Sequence, residues 1–421
     1  MERLHIAFFG PTNSGKSTLV NAIAGQPVSL VSDVPGTTTD PVRKPLEIPG
    51  LGPCVLIDTA GLDDTGVLGA ERQRLTLSVL DEADVAVEVL PMSQNPEHWE
   101  QNSPESAPNV PDFGTLASQA GIPLIKYTRG ESVESLIQRI KDARPQEEER
   151  FLTGDLVKAG DTVLLVMPQD SEAPKGRLIL PQVQVLRELL DRGCIPHCCT
   201  PASLQNAVGS LKAAPDLVIT DSQAFAFVNG AIPPEWPLTS FSILLAAAKG
   251  DVRVFLEGAE TIARLKPGDR VLIAEACTHV PDTEDIGRVK IPALLQKCVV
   301  ADGSSRSEPF SASAAASGFP SREHFFASEA ADGSLRSEPF SASGAKTRSS
   351  EALIIDIAAG NAFPDDLSQY ALIIHCGACV AGRQLVRART RRALLAGVPI
   401  TNYGIALAYL QGILGRISIP G

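Results

Sequence analysis

No apolar run in these 421 residues approaches the length needed to cross a bilayer, so no membrane span is expected. The N-terminal stretch Met1 to Phe9 lacks a signal-peptide apolar core and a transit-peptide composition. It passes almost directly into a strand pattern, which makes the cytoplasm the expected compartment. Positive charge is scarce, with 37 Lys and Arg against 49 Asp and Glu, and the formal charge of −12 argues against broad nucleic-acid binding through phosphate neutralisation. A disulfide framework is not the expected use of the cysteines. Eight cysteines in a chain this long, without a secretory signal, read as thiols or metal ligands.

The chain is too long for one hydrophobic core, and its 44% hydrophobic and 20% charged residues are ordinary for a globular protein. About three units are expected from domain size. The first begins with the buried-strand pattern Leu4 to Phe9, followed by Gly10-Pro11-Thr12-Asn13-Ser14-Gly15-Lys16-Ser17 and a helix-like stretch from Thr18 to Ala24. This is a complete phosphate-binding loop between strand and helix. Gly10 and Gly15 let the backbone wrap the phosphates, and the N–H groups from Asn13 to Thr18 line them. Lys16 reaches the terminal phosphates, and Ser17 becomes a magnesium ligand.

Two further segments match the switches of a GTPase: Gly36-Thr37-Thr38-Thr39-Asp40, and Asp58-Thr59-Ala60-Gly61 after the strand Cys54 to Ile57. A switch threonine and the aspartate organise magnesium and water around the γ-phosphate, which makes Lys16, Thr38, Asp58 and Gly61 the catalytic candidates, with Thr37 the alternative to Thr38. Asn13 and the Pro-Gly-Thr-Thr sequence resemble the potassium-dependent TrmE-Era-like GTPases, which implies Asn13 as a potassium ligand. No Asn-Lys-x-Asp tetrapeptide occurs anywhere, so the carboxylate that normally reads the guanine edge is missing. The strand pattern Gly121 to Ile125 runs into Lys126-Tyr127-Thr128-Arg129 instead.

A Pro-containing charge run, Arg144 to Arg150, marks a linker, and alternating strand and helix patterns follow from Phe151. This alternation implies α/β layers with parallel strands and shows no catalytic motif. Cys194, Cys198 and Cys199 lie in a strand-like segment with His197, where successive side chains face opposite ways, and they are read as core or incidental thiols. A different constellation follows later. Cys277-Thr278-His279 comes after the strand Arg270 to Ala274, and His375-Cys376-Gly377-Ala378-Cys379 after Leu372 to Ile374. Both lie at strand ends, where α/β folds build sites, and three cysteines with a histidine suit either a tetrahedral zinc or a cuboidal iron-sulfur cluster, with a redox Cys-x-x-Cys beside an unrelated Cys277 as the remaining alternative.

The segments Ala173 to Ile179, Val218 to Gln223, Cys277 to His279, Thr283 to Pro292, His375 to Cys379 and Thr401 to Gly404 resemble, in order, the HydF-type GTPases of iron-only hydrogenase maturation. The resemblance implies three parts: a P-loop GTPase domain over 1–150, an α/β dimerisation domain over 151–248 and an α/β iron-sulfur domain over 249–421. It further implies that Cys277, Cys376 and Cys379 bind a 4Fe-4S cluster whose fourth corner is exchangeable, with His279 and His375 as candidates. The implied activity is GTP hydrolysis with magnesium and potassium, in a homodimer. Such a scaffold receives a diiron precursor from radical-SAM maturation enzymes and delivers it to the hydrogenase apoprotein. The spacer between His279 and His375 is much longer than the family pattern, and the excess maps to about 301–350, where Ala301 to Ser313 returns with one change at Ala331 to Ser343. So small and polar a duplication cannot bury enough apolar surface to offset its ordering entropy, and it is expected to be a disordered insertion. Two rivals remain from the residues alone: a regulatory GTPase with structural zinc, and a scaffold that no longer hydrolyses nucleotide.

Overall fold

The computed structural model describes residues 3–26, 41–61, 75–76, 78–90, 113–144, 151–169, 176–276, 285–301, 352–360, 362–379 and 381–420. In the first sheet, β1 (Leu4–Phe9) lies between β3 (Gly52–Asp58) and β4 (Val85–Leu90), parallel to both. β2 (Val42–Ile48) adds an antiparallel edge beside β3, and β5 (Leu124–Thr128) closes the other side, giving the order β2-β3-β1-β4-β5. Sequence explains these places. The nearly unbroken apolar run of β1 suits a strand covered on both faces, whereas β2 alternates and carries Pro45, which an edge strand tolerates. Ile6 and Phe8 enter one core with Leu136 and Ile140, while Ala7 and Phe9 enter the opposite core with Phe113. The covering helices are α1 (Lys16–Ala24), α2 (Phe113–Ala120) and α3 (Val133–Ala143). β5 begins later than the sequence pattern implies, because Gly121 closes α2 at φ 67° and Ile122 N–H returns to the Ala117 carbonyl.

The remainder forms two four-stranded parallel sheets. The first has the order β7-β6-β8-β9, with β6 (Thr162–Val166), β7 (Ile195–Cys199), β8 (Leu217–Thr220) and β9 (Leu238–Ser240). It carries α4 (Leu180–Asp191), α5 (Leu204–Ser210), α6 (Phe225–Ala231) and α7 (Phe241–Lys249). The second has the order β11-β10-β12-β13, with β10 (Arg270–Glu275), β11 (Ile354–Ala359), β12 (Leu372–His375) and β13 (Ile400–Asn402). Its helices are α8 (Val252–Glu260), α9 (Ile291–Ala301), α10 (Arg383–Leu395) and α11 (Tyr403–Leu410). Cys194 is buried, as a core thiol should be, Cys199 is half-buried and Cys198 is exposed. The duplicated segment lies outside the described residues apart from its first residue, Ala301, which ends α9.

One core joins the two parallel sheets: Val166 and Val218 from one pack in the same cluster as Leu272, Ile373 and Ile400 from the other. The chain end reinforces the join, since Ile417 bridges Leu238 in parallel and Ser418 N–H donates to the Leu238 carbonyl at 2.8 Å. α8 crosses β13 so closely that a Cβ on Gly258 would lie 2.0 Å from the Ile400 carbonyl oxygen. Backbone cannot yield as a flexible side chain can. Gly258→Ala should therefore cost about 3 kcal/mol, read as a lower midpoint in urea denaturation; an unchanged midpoint would contradict this packing.

Candidate functional sites

The phosphate loop leaves β1 through Gly10 at φ 144°, where an added Cβ would lie 2.4 Å from the Val89 carbonyl oxygen. Glycine is therefore required by close approach as well as by dihedral. Asn13 is left-handed at φ 61°, a conformation asparagine tolerates better than most residues, and Gly15 at φ 98° precedes α1. Lys16 is buried, and its Nζ donates to the Gly10 and Pro11 carbonyls at 3.0 and 2.7 Å, which folds the loop around the ammonium. The Ser14 hydroxyl is buried without a hydrogen-bond partner among the described residues, as expected of a group aimed at a ligand. Thr18 is exposed. Ser17 Oγ donates to Asp58 Oδ2 at 2.6 Å, so two expected magnesium-site residues, far apart in sequence, meet at one point. Thr59 Oγ1 donates to the Phe8 carbonyl at 2.7 Å and ties the end of β3 to β1 beside this site. Gly61 is the last described residue of its segment, and Thr37 and Thr38 lie outside the described residues.

At the far edge of this sheet, the Arg129 side chain lies about 3.6 Å from where a Cβ on Gly15 would stand. Glu131, the carboxylate that follows β5, is engaged locally. It accepts from Thr128 N–H at 2.7 Å and pairs with Arg139 at 2.6 Å, and the backbone bond from Thr128 is the leading cause that holds its carboxyl below the usual range.

The second site lies at the carboxyl ends of β10 and β12. β12 pairs Ala274 with His375, and the Cys376 N–H donates to the Ala274 carbonyl at 2.9 Å. Cys376 Sγ accepts from Ala276 N–H at 3.1 Å and from Ala378 N–H at 3.4 Å. Ala378 reaches this position through φ 49°. Two backbone donors on one sulfur favour the thiolate, the form that binds metal. Ala276 immediately precedes Cys277, so the first cysteine segment departs from the sulfur of the second; Cys277 and His279 themselves lie outside the described residues. Cys379 is half-buried in the same loop. Among the described residues, no three His, Cys, Asp or Glu side chains form a metal-holding group.

His375 is engaged on both ring nitrogens: Nδ1 lies 2.8 Å from the Cys376 carbonyl and Nε2 lies 3.2 Å from Arg389 Nη1. Burial, helped by the Arg389 charge, lowers its pKa to about 3, so the ring is neutral, with Nδ1 donating and Nε2 accepting. Sequence reasoning missed two residues that hold this loop. Lys249, buried at the end of α7, donates to the Ala378 and Ala381 carbonyls at 2.8 Å each. Its signal was a lone lysine closing the otherwise apolar Phe241-Ser242-Ile243-Leu244-Leu245-Ala246-Ala247-Ala248. Arg389 is buried within the arginine-rich α10, a pattern that reads as a solvated face. A cavity of about 10 Å³ between Lys249, Phe255, Cys376 and Asn402 has room for no more than one water. Lys249→Met would leave two carbonyls without their cation. It should cost about 1–3 kcal/mol and speed Cys379 alkylation in the metal-free protein. Equal stability and equal alkylation would remove Lys249 from this role.

A strand, phosphate loop and helix with Ser17 on Asp58, in a sheet ordered β2-β3-β1-β4-β5, define a P-loop GTPase domain, here carried on two further parallel α/β layers. Family models match three stretches: 50S ribosome-binding GTPase over 5–110, hydrogen maturase F dimerization domain over 152–250, and hydrogen maturase F tetramerization domain over 253–310 and 344–420. The chain belongs to the hydrogen maturase F family, the GTPases of hydrogenase maturation. The gap in the last match falls inside the Ser/Ala-rich duplication.

Among curated relatives, the tRNA modification GTPase MnmE of Xylella fastidiosa is 46% identical over 88 residues, covering 21% of this chain and 19% of that protein. MnmE of Herminiimonas arsenicoxydans is 39% identical over 113 residues, covering 26% and 24%. The chain thus spans at most about a quarter of the length of these relatives. Solved structures similar to it include Aquifex aeolicus Era bound to GDP.AlF4-, at 19% identity and TM-score 0.25, covering 48% of this chain and 93% of that one. NFeoB of S. thermophilus bound to GDP.AlF4- and K+ is 16% identical at TM-score 0.22, covering 36% and 67%. Among the described residues, no helix is long and apolar enough to cross a membrane.

Proposed function

We propose that this chain hydrolyses GTP and serves as the scaffold on which a diiron precursor is held and then passed to the hydrogenase apoprotein, after its construction by radical-SAM maturation enzymes. The observation that carries the reading is the Cys376 sulfur, accepting from the N–H before Cys277 and the N–H before Cys379, in a family member that also keeps its phosphate loop. Cys277, Cys376 and Cys379 would hold a 4Fe-4S cluster, whose role here is to offer the cargo an attachment corner. His279 is the candidate for that corner. His375, already bonded through both nitrogens, is better suited to supporting the loop than to leaving it for iron. The donors fit the group: a soft sulfur that accepts two backbone N–H bonds, with the cations Lys249 and Arg389 holding its loop and neighbouring strand ends.

In the nucleotide site, Lys16 neutralises the terminal phosphates, Ser17 and Asp58 hold magnesium with Thr38, and Gly61 senses the γ-phosphate through its N–H. Asn13 is the potassium ligand. The division into a GTPase unit over 1–150, a dimerisation unit over 151–248 and a cluster unit over 249–421, assembled as a cytoplasmic homodimer, belongs to the same reading. Phosphate release should be faster in potassium than in sodium, and that difference should vanish in Asn13→Ala. Preference for GTP over ATP should be weak, because the sequence has no Asn-Lys-x-Asp motif to read the guanine edge. Equal rates in both salts would remove the potassium claim, and strong GTP selectivity would assign base reading to another segment.

A further inference from the structure

α10 touches both the cysteine site and the GTPase unit. On its inner face Arg389, 1% exposed, donates from Nη1 to the Glu275 carbonyl at 3.1 Å and to His375 Nε2 at 3.2 Å, and from Nη2 to the Gly360 carbonyl. These acceptors lie at or just beyond the ends of β10, β12 and β11, so one guanidinium grips three strand ends around Cys376. One turn later on the same face, Arg392 donates to the Pro364 carbonyl at 2.7 Å and pairs with Asp81 and Asp365 at 3.3 Å each. Asp81 belongs to the GTPase unit, in the 3-10 turn Val79–Asp81 that precedes β4. The two guanidiniums share a support, with Arg389 Cζ 4.9 Å and Arg392 Cζ 5.0 Å from the centre of the Phe363 ring. Arg391 adds a second tie by donating to the Gln119 carbonyl of α2 at 3.0 Å.

Asp81 lies on the stretch of chain that leaves Asp58–Gly61 and returns to the sheet at β4, the stretch GTPases rearrange when the γ-phosphate is bound or lost. A half-buried charge pair is not relaxed by water as a surface pair is, and two cations packed on one ring move together more readily than apart. We propose that Arg389, Phe363 and Arg392 form a positioning bridge through which occupancy of the phosphate site sets the geometry of the Cys376–Cys379 loop, with Asp81 as its contact on the nucleotide side. The inference rests on the phosphate site and cysteine loop as read above, and it needs no bound cluster to be tested.

The test uses the full-length metal-free protein and the rate at which iodoacetamide alkylates Cys379, followed by peptide mass spectrometry with and without magnesium and a non-hydrolysable GTP analogue. Cys198, exposed on β7, is the internal reference, and binding of the analogue is measured on the same samples. In the wild type, nucleotide should change the Cys379 rate by a factor on the order of three or more while Cys198 stays constant. Asp81→Asn and Arg392→Gln, both at partly exposed positions, should bind the analogue normally and lose most of that change. The double variant should lose no more than either single one, because both cut the same contact. Variants that keep the full response, or a wild type that binds nucleotide without any change at Cys379, would overturn the bridge. A wild type that binds no nucleotide would overturn the phosphate-site reading, and the bridge with it.

Discussion

Lys16→Ala should lower phosphate release from GTP by a factor on the order of a hundred or more, while iron and sulfide content stay at the wild-type level. The lysine is the buried cation of the loop, and in the structure its ammonium already rests on the Gly10 and Pro11 carbonyls. Alanine removes the charge that offsets the developing negative charge on the transferring phosphoryl group, and no second lysine lies between Gly10 and Gly25 to replace it. The backbone wrap at Gly10 and Gly15 is untouched, so the unit should still fold. Malachite-green phosphate assays alongside iron analysis decide the matter, and phosphate release at the wild-type rate would defeat the assignment.

The second large effect is expected at Cys376. Cys376→Ser should retain the fold yet hold cluster roughly tenfold less well or worse, because the oxygen is a harder ligand and the two N–H donors of Ala276 and Ala378 were placed for a larger sulfur. Cys379→Ser should behave alike. His375→Ala should differ: it removes one of the three acceptors of the buried Arg389, so its main cost falls on stability, with iron content changed less. Iron per chain after anaerobic reconstitution separates the two classes, and a Cys376→Ser protein with full iron would count against the site.

The phosphate site was legible in sequence because its chemistry is local: a strand, a glycine-bounded loop and a helix follow one another, and the structure keeps that order from Leu4 to Ala24. Ser17 with Asp58 could be paired by motif, although the 2.6 Å contact depends on β1 and β3 lying side by side. The cysteine loop was legible as a motif at a strand end. Its supports were not, since Lys249 reaches it from the helix of another sheet and Arg389 from the far side of a crossover. A buried arginine cannot be told from its less buried neighbours when Arg383, Arg387, Arg389, Arg391 and Arg392 share one helix. The strand β5 starts later than its pattern for a local reason, the left-handed Gly121, after which Ile122 N–H still closes α2 on the Ala117 carbonyl. The core shared between the two parallel sheets was also invisible, because a continuous apolar strand does not announce which sheet will cover it.

The most direct test of the central claim is the metal content of the full chain after anaerobic reconstitution with iron and sulfide, measured together with acid-labile sulfide and the electron paramagnetic resonance of the reduced protein. The account predicts about four iron and four sulfide per chain and a signal from a reduced cubane cluster; one zinc per chain with no labile sulfide would contradict it.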